Sequence, residues 1–246
     1  MKIELHCHTD GSPCAKCPPH IVMQTYKENG FDAVVVTNHY THWIYDAYGF
    51  KSEKEYAEYF VKLIDDAITA GEKVGIKVFY GMEIRLKQSL TEYMLFGISK
   101  DLILQNPNLY DLTQEELFSF CQKNGVFMYQ THPFREGVSI GDARFMHGAE
   151  AFNGHFHHVN NNKLADEFCE KYNLIKLEGT DFHDEGQPIT TGIIIDEQVN
   201  DIFELVKVIR SGKFKRIENK QLYKTQLIEY KKSTGRVLTE NDLKYD

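Results

Sequence analysis

The sequence predicts an α/β protein that folds as a single closed barrel. Strand-like and helix-like segments alternate from end to end of the 246 residues, which is typical of βαβ units around a parallel sheet. About seven such units fit within this length, a number that favours a closed barrel over an open sheet. No linker or internal repeat interrupts the pattern, so we expect one domain over residues 1–246.

The elements follow from local patterns. Ile3 and Leu5 alternate with polar residues ahead of a turn-rich run, which predicts a first strand at the N-terminus. Pro19 opens a helix, and Ser52 and Thr113 each begin a capping box with a glutamate three residues later. Further strands are predicted at 33–37, 76–81, 93–98, 126–129, 149–152, 174–177 and 193–195, further helices at 161–172 and 201–210, and an aromatic-rich loop at 40–50.

The composition excludes several classes of protein. Hydrophobic residues make up 42% and charged residues 26%, as in soluble globular proteins, and no apolar run reaches membrane-spanning length. Without a signal-peptide pattern, we expect a cytoplasmic protein whose five cysteines are thiols or ligands rather than disulfides. The formal charge of −8 argues against a dedicated nucleic-acid binder.

The C-terminal region has the opposite charge. Residues 207–236 contain ten Lys or Arg and two Glu, a local charge of +8 in a chain of −8, so the remainder carries −16. We predict a basic helical tail at about 207–246 and interpret it as a solvated helical face. A role in binding phosphate or a partner stays open.

Metal-capable side chains recur where predicted strands end. A single histidine on an apolar strand is usually a satisfied core residue. In a parallel barrel, however, the C-terminal ends of the strands meet at one face, where the chemistry takes place. Five separate strand ends with such residues therefore predict a polynuclear metal site. The residues are His6 and His8, His39, Glu83, His132, and Asp181 with His183.

The ordered motifs H-x-H, T-[DN]-H, G-x-E, T-H-P and D-x-H, with the E-x-x-N-G segment at 150–154, resemble the PHP (polymerase and histidinol phosphatase) domain. The resemblance extends to about residue 195. It implies a distorted (β/α)7 barrel, TIM-like, that binds up to three Zn, Mn or Fe ions and hydrolyses phosphoesters.

The resemblance also implies a ligand set. Two departures from the family pattern are Met94, where His is common, and Asn38, where Asp is usual; we therefore expect three ions to be possible and two to bind tightly. Cys14 is either an active-site ligand or a structural thiol, and the spacing with Cys17 leaves a separate zinc site open. The implied ligands are His6, His8, Glu83 and Asp181 for one metal, Glu83 and His132 for a second, and His39, His183 and Cys14 for a third.

The chemistry predicted for such a site is phosphoester hydrolysis by a metal-activated hydroxide. We hypothesise that Asp181 orients the hydroxide and that Arg135 grips the phosphate in bidentate fashion, a surface ion pair being the alternative for Arg135. The expected substrate is a small phosphorylated metabolite, with phosphate as product and without nucleic-acid or membrane partners. A metal-dependent amidohydrolase and a non-catalytic metal-binding scaffold are the alternative functions. The loop histidines 155, 157 and 158 are expected to be solvated, with phosphate contact or a general-acid role as the alternative.

Overall fold

The computed structural model describes residues 1–236, which form one α/β domain around a ten-stranded sheet. The predicted strands are present with bounds shifted by a few residues. The strands are β1 (Lys2–Cys7), β2 (Ala33–Val36), β3 (His39–Thr41), β4 (Lys77–Arg85), β5 (Glu92–Phe96), β6 (Phe127–Gln130), β7 (Gly148–Asn153), β8 (Ile175–Gly179), β9 (Thr191–Ile194) and β10 (Lys215–Glu218). The α-helices of the described residues are α1 (Pro19–Glu28), α2 (His42–Tyr48), α3 (Glu53–Val74), α4 (Lys100–Gln105), α5 (Gln114–Lys123), α6 (Asn162–Tyr172), α7 (Ile202–Ser211) and α8 (Lys220–Ser233).

Seven strands enclose the barrel, in the order β1, β2, β4, β5, β6, β7, β8. Backbone hydrogen bonds close the gap between the end of β8 and β1. The amide of Asp181 donates to the carbonyl of His6 at 2.8 Å, and the amide of His8 donates to the carbonyl of Phe182 at 3.0 Å. The predicted seven-unit barrel is confirmed, and the same bonds bring the H-x-H and D-x-H motifs side by side.

One strand reverses the expected direction. β5 runs antiparallel to both β4 and β6, so the expectation of a wholly parallel sheet is wrong at this position. Only residues 86–91 join β4 to β5, and a parallel pairing would need a crossover of a dozen or more residues. As a consequence, the first residue of β5, Glu92, lies at the end of the barrel where the parallel strands finish.

Three strands lie outside the seven barrel strands, and one of them, β3, pairs in parallel with the end of β4. β9 pairs antiparallel with the start of β1, and β10 pairs antiparallel with β9. Because β10 falls within the predicted basic tail, the prediction of a helical tail is wrong for residues 215–218, although α8 follows directly. The lysine and arginine of β10 suit an edge position, where charge discourages pairing with other chains. Residues 237–246 of the predicted tail lie outside the described residues.

Helix starts follow the sequence signals. The capping box at Thr113 forms completely, whereas the Ser52 side chain accepts from the Glu55 amide without the reciprocal bond. The segment 40–50, expected to be a loop, contains the last residues of β3 and all of α2, which is capped by the Thr41 side chain. Over residues 1–236, no helix combines the length and hydrophobicity that crossing a membrane requires.

A β-bulge changes which side chains of β1 face the barrel interior. The register against β2 shifts between Glu4 and Cys7, and the amides of Leu5 and His6 both donate to Glu4 Oε1. Ile3 and Leu5 pack in an apolar cluster with residues from most barrel strands and from α7. The bulge lets His6 follow Leu5 on the inner side, so the apolar interior ends directly beneath the imidazole.

Candidate metal centre

Glu83, near the end of β4, lies at the centre of the site. Its Oε2 is 3.4 Å from His6 Nε2, 3.2 Å from His8 Nε2 and 3.0 Å from His39 Nδ1. Its Oε1 is 3.2 Å from His132 Nε2. The carboxylate is fully buried. One carboxylate thus connects imidazoles that come from the ends of three different strands or the loops after them.

Asp181, just after β8, is the second carboxylate of the site. Its Oδ1 is 3.3 Å from His6 Nε2, 3.4 Å from His8 Nε2 and 3.3 Å from His183 Nδ1, and its Oδ2 accepts from Arg135 Nη2 at 2.5 Å. Its backbone has a φ of 53°, a left-handed conformation that aspartate tolerates better than most residues. This backbone turn directs the side chain toward the imidazoles.

The third part of the site is formed by His8, His39 and His183 with the loop after β1. The ring of His8 lies 4.5 Å from that of His39 and 4.4 Å from that of His183. Cys14 Sγ is 3.2 Å from His183 Nε2. Cys17, in contrast, is buried in an apolar cluster with residues such as Met23 and Phe182, a setting that supports packing rather than metal binding.

The donor atoms fit divalent cations. His39 Nδ1 and Glu83 Oε2 lie 3.0 Å apart but are not aligned for a hydrogen bond. Neither these two atoms nor His132 Nδ1, all of them buried, has a hydrogen-bond partner among residues 1–236. Leaving buried polar atoms unpaired costs free energy, which a bound cation would offset. Imidazole and carboxylate donors together suit Zn, Mn and Fe. Three sets of donor atoms each lie within 4.8 Å of one another: His6, His8 and Glu83; His8, His39 and His183; and His39, Glu83 and Glu92.

Charge is unevenly distributed over the imidazoles. Burial lowers the pKa of His39 and of His183 to about 3, so both rings are neutral and ready to bind a cation. Burial opposes protonation of His6 as well, but Asp181 and Glu83 outweigh it and raise its pKa well above the usual 6.5. The pKa of His8 is also raised. Without cations, His6 and His8 therefore carry the positive charge of the site.

Glu150, on β7, orients two ligand positions at once. Its Oε1 is 2.8 Å from His6 Nδ1, and its Oε2 accepts from the backbone amide of His132 at 2.8 Å and from Asn153 Nδ2 at 2.9 Å. A carboxylate behind a ligating imidazole fixes the ring and its tautomer. Glu150 thus orients the proposed ligands through its hydrogen bonds, and Asn153 in turn donates a hydrogen bond to Glu150.

Asn38, where the family usually has aspartate, holds the loop after β1. Its Oδ1 accepts from the amide of Thr9 at 2.9 Å and from the hydroxyl of Ser12 at 3.2 Å. Ser12 Oγ in turn lies 3.3 Å from His8 Nδ1. The Asn38 amide oxygen therefore reaches His8 only through the Ser12 hydroxyl. It also lacks the negative charge that an aspartate would bring to this position.

Arg135 is held by protein acceptors. Besides Asp181, its Nη2 donates to Asn153 Oδ1 at 3.0 Å, and its Nε donates to Asn160 Oδ1 at 2.8 Å. These contacts occupy the edge of the guanidinium that bidentate phosphate binding would use. The alternative of a surface ion pair does not describe Arg135 either, since the side chain is only 12% exposed.

Sequence reasoning missed two groups of residues. Glu92 Oε2 lies 3.5 Å from His132 Nε2, and its Oε1 lies 2.8 Å from Arg85 Nη2. A charged residue at the start of a strand that is otherwise wholly apolar was the available signal. The expectation that the loop histidines are solvated is wrong for His155, which is 5% exposed with its ring 5.0 Å from that of His183.

A cavity of about 310 Å³ opens above these groups. Two arginines, Arg85 and Arg135, line it together with the candidate ligands, so it combines anionic ligands with cationic walls. The residues predicted as ligands or catalytic groups that line it are Cys14, His39, Glu83, His132, Arg135, Asp181 and His183, and His6 and His8 lie directly beneath Glu83 and Asp181.

Comparisons with known proteins agree with this architecture. A two-domain protein from Bacteroides vulgatus, described as containing a predicted PHP-like metal-dependent phosphoesterase, superposes with a TM-score of 0.66 at 17% identity, covering 94% of this chain and 69% of the other. PsfC from Pseudomonas syringae gives 0.63 at 16% identity over 95% and 98%. The lesion-specific endonuclease EndoQ from Pyrococcus furiosus gives 0.57 at 12% identity over 87% and 57%.

At these identities the structural matches show a shared fold. A comparison with curated proteins gave no match. The family model of the PHP domain, however, matches residues 4–232, nearly the whole chain and all of the motifs described above. The chain therefore belongs to the PHP domain family.

Proposed function

We propose that this protein is a metal-dependent phosphoesterase that hydrolyses a small phosphate ester and releases phosphate. The observation that carries the proposal is Glu83, one buried carboxylate within 3.0–3.4 Å of four imidazoles, beside a cavity walled by arginines. Phosphoryl transfer needs an activated nucleophile and a counter-charge for the phosphoryl oxygens. The donor set supports the first requirement and the arginines support the second.

The proposed cofactors are two to three divalent ions, Zn, Mn or Fe. One would be held by His6, His8, Glu83 and Asp181, and a third by His39, His183 and Cys14. Glu83 and His132 would hold the remaining one. Bound in such a site, divalent cations lower the pKa of a coordinated water toward about 7 and neutralise charge on the phosphate.

The chain's own residues would orient the reaction. Asp181 presents Oδ1 to the imidazoles while Arg135 and Asn153 hold its Oδ2. Burial opposes ionisation, but His6 and Arg135 hold the pKa of Asp181 well below its usual range, so this carboxylate is fixed and ionised and would orient the nucleophile. Arg135 contributes positive charge at the cavity wall, with Nε and Nη2 engaged by protein acceptors. A phosphate would therefore meet its Nη1 edge, which modifies the bidentate hypothesis.

The cavity favours small substrates. A volume of about 310 Å³ lies at the lower end of the range for small-molecule sites. The net charge of −8 opposes the long phosphate backbone of a nucleic acid but not a single phosphorylated metabolite. We propose a cytoplasmic metabolite of this kind as the substrate.

The test is a phosphate-release screen over a panel of phosphorylated metabolites, with protein loaded in turn with Mn, Fe and Zn. We expect turnover of at least one ester, hydrolysis of p-nitrophenyl phosphate but not of amide substrates, and loss of both in Asp181→Asn. Amide hydrolysis alone would instead identify an amidohydrolase. Bound metal without turnover in any of the three forms would identify a scaffold.

A further inference from the structure

The ligand set proposed for the second cation is incomplete. Glu83 and His132 belong to it, but Met94 stands where the family commonly has histidine. Met94 lies directly opposite Glu83 in the β4–β5 register, yet its buried side chain packs in the apolar interior with Phe96 and Tyr129. A thioether is also a poor ligand for hard or borderline cations. Another donor is needed at this place.

Glu92 lies two residues earlier on the same strand, and alternate residues of a strand face the same side. Its Oε2 is 3.5 Å from His132 Nε2 and its Oε1 is 3.7 Å from His39 Nδ1. The side chain is 5% exposed. The backbone is fixed as well, because the Glu92 carbonyl accepts from the amide of Thr131, the residue before His132.

Arg85 leaves one oxygen of Glu92 free for a cation. Arg85 and Glu92 are paired across the two strands, and Arg85 Nη2 lies 2.8 Å from Oε1. The other oxygen, Oε2, faces His132. It also balances the charge that would otherwise accumulate where two carboxylates meet in a buried place.

A second observation points to a cation here. Glu83 Oε1 lies 3.2 Å and Glu92 Oε2 lies 3.5 Å from the same atom, Nε2 of the buried His132, which can donate a proton to only one of the two carboxylates. Donor atoms of His39, Glu83 and Glu92 all lie within 4.8 Å of one another.

We propose that Glu92 is the ligand that replaces the missing imidazole, so that the second cation is bound by Glu83, His132 and Glu92. The inference rests on the metal dependence of the proposed function. A site with two carboxylates and one imidazole is harder than one with two imidazoles, and oxygen donors suit Mn²⁺ better than Zn²⁺. The exchange of His for Met at 94 therefore shifts the metal preference of this site toward manganese.

The test uses Glu92→Gln, which keeps size and removes charge, the double variant Glu92→Gln with Met94→His, and Glu136→Gln as the matched control. Glu136 lines the same cavity but forms no ion pair with any residue the structure describes. The full-length protein is stripped of metal, loaded with Mn²⁺ or Zn²⁺ and desalted. Retained metal is then counted by elemental analysis, and affinity is measured by competition with a chelating dye.

We expect Glu92→Gln to retain one equivalent of Mn²⁺ fewer than wild type, or to bind it at least about tenfold more weakly. Glu136→Gln should match wild type. Adding Met94→His should restore the lost equivalent for Zn²⁺ in preference to Mn²⁺. Equal stoichiometry and affinity in wild type and Glu92→Gln would overturn the assignment while leaving the proposed function intact.

Wild type that binds none of the metals would overturn both the assignment and the proposed metal dependence. If Glu92→Gln fails to fold, anomalous scattering from a crystal of the Mn-loaded wild type decides the matter. An anomalous peak within bonding distance of Glu92 Oε2 supports the assignment. A peak bound by Glu83 and His132 but away from Glu92 overturns it.

Discussion

Binding of divalent cations to the metal-free protein should release protons from His6 and His8. Asp181 and Glu83 outweigh burial and raise the pKa of His6 well above 6.5, and the pKa of His8 is raised by the same two carboxylates. A ligating imidazole must be neutral. Cations that enter the site therefore have to displace these protons.

The number of protons follows from the pKa directions. His39 and His183, with pKa values of about 3, carry no extra proton at pH 6.5. The raised pKa values of His6 and His8 keep a proton on this pair. Because their Nε2 atoms lie 3.0 Å apart, both cannot point an N–H at the other, so the imidazoles should release at least about one proton. Burial raises the pKa of Cys14 to about 12, so a Cys14 thiolate ligand would add about one more.

The assay is titration calorimetry of metal-free protein with Mn²⁺ at pH 6.5 in two buffers of different ionisation enthalpy. The difference in apparent enthalpy gives the protons released. Cys14→Ser should lower the count by about one if Cys14 binds as a thiolate, whereas His20→Gln, on the surface of α1, should leave it unchanged. Equal enthalpies in both buffers would refute the charge distribution argued here.

Three substitutions test the supporting residues. Asp181→Asn keeps the backbone at φ 53°, which asparagine tolerates, but loses the anionic oxygens, so phosphate release should fall at least about 100-fold with unchanged circular dichroism. Arg135→Lys cannot reach Asn160 and Asp181 together, so kcat/KM should fall about tenfold or more; equal kinetics for wild type, Lys and Ala variants would argue against any role. Glu4→Gln keeps one acceptor oxygen for the Leu5 and His6 amides. It replaces the other oxygen, which accepts from the hydroxyls of Thr180 and Tyr26, by an amide donor, and should cost about 2–4 kcal/mol in urea unfolding at pH 7. Burial raises the pKa of Glu4 to about 6, so its stabilisation is present below its unfolded value near 4.5 and lost as the pH rises through 6; the cost of Glu4→Gln should therefore be about 2 kcal/mol larger at pH 4.5.

The candidate site was largely predictable because parallel strands deliver their C-terminal ends to one face. His6 and Glu83 lie near the end of a recognisable strand, and His132 and Asp181 lie just after one. The barrel then brings all four together without any further signal. The side of β1 on which His6 lies could not be predicted in this way. A strict alternation would have placed His6 on the side of Glu4, and only the bulge, stabilised by the Glu4 carboxylate, turns the ring inward.

The same reasoning did not identify Glu92, and the reason is physical. The rule that ligands stand at strand ends applies to parallel strands, and β5 is reversed, so its first residue rather than its last reaches the site. The reversal depends on the short connection after β4, whose length was visible in the sequence. For Arg135, the position near His132 was predictable from the sequence. Its contacts with Asn153 and Asn160 were not, because they depend on how distant segments pack.

The site is held in its geometry by strain and by shared supports. His132 and Asp181 both have positive φ values, 31° and 53°, which non-glycine residues adopt only when their surroundings enforce it. For His132 that enforcement comes from Glu150, which accepts its backbone amide and also faces His6 Nδ1. One carboxylate on β7 therefore sets the positions of ligands proposed for two different cations. Because Glu150 contacts both, a substitution at Glu150 should displace the two proposed ligands together.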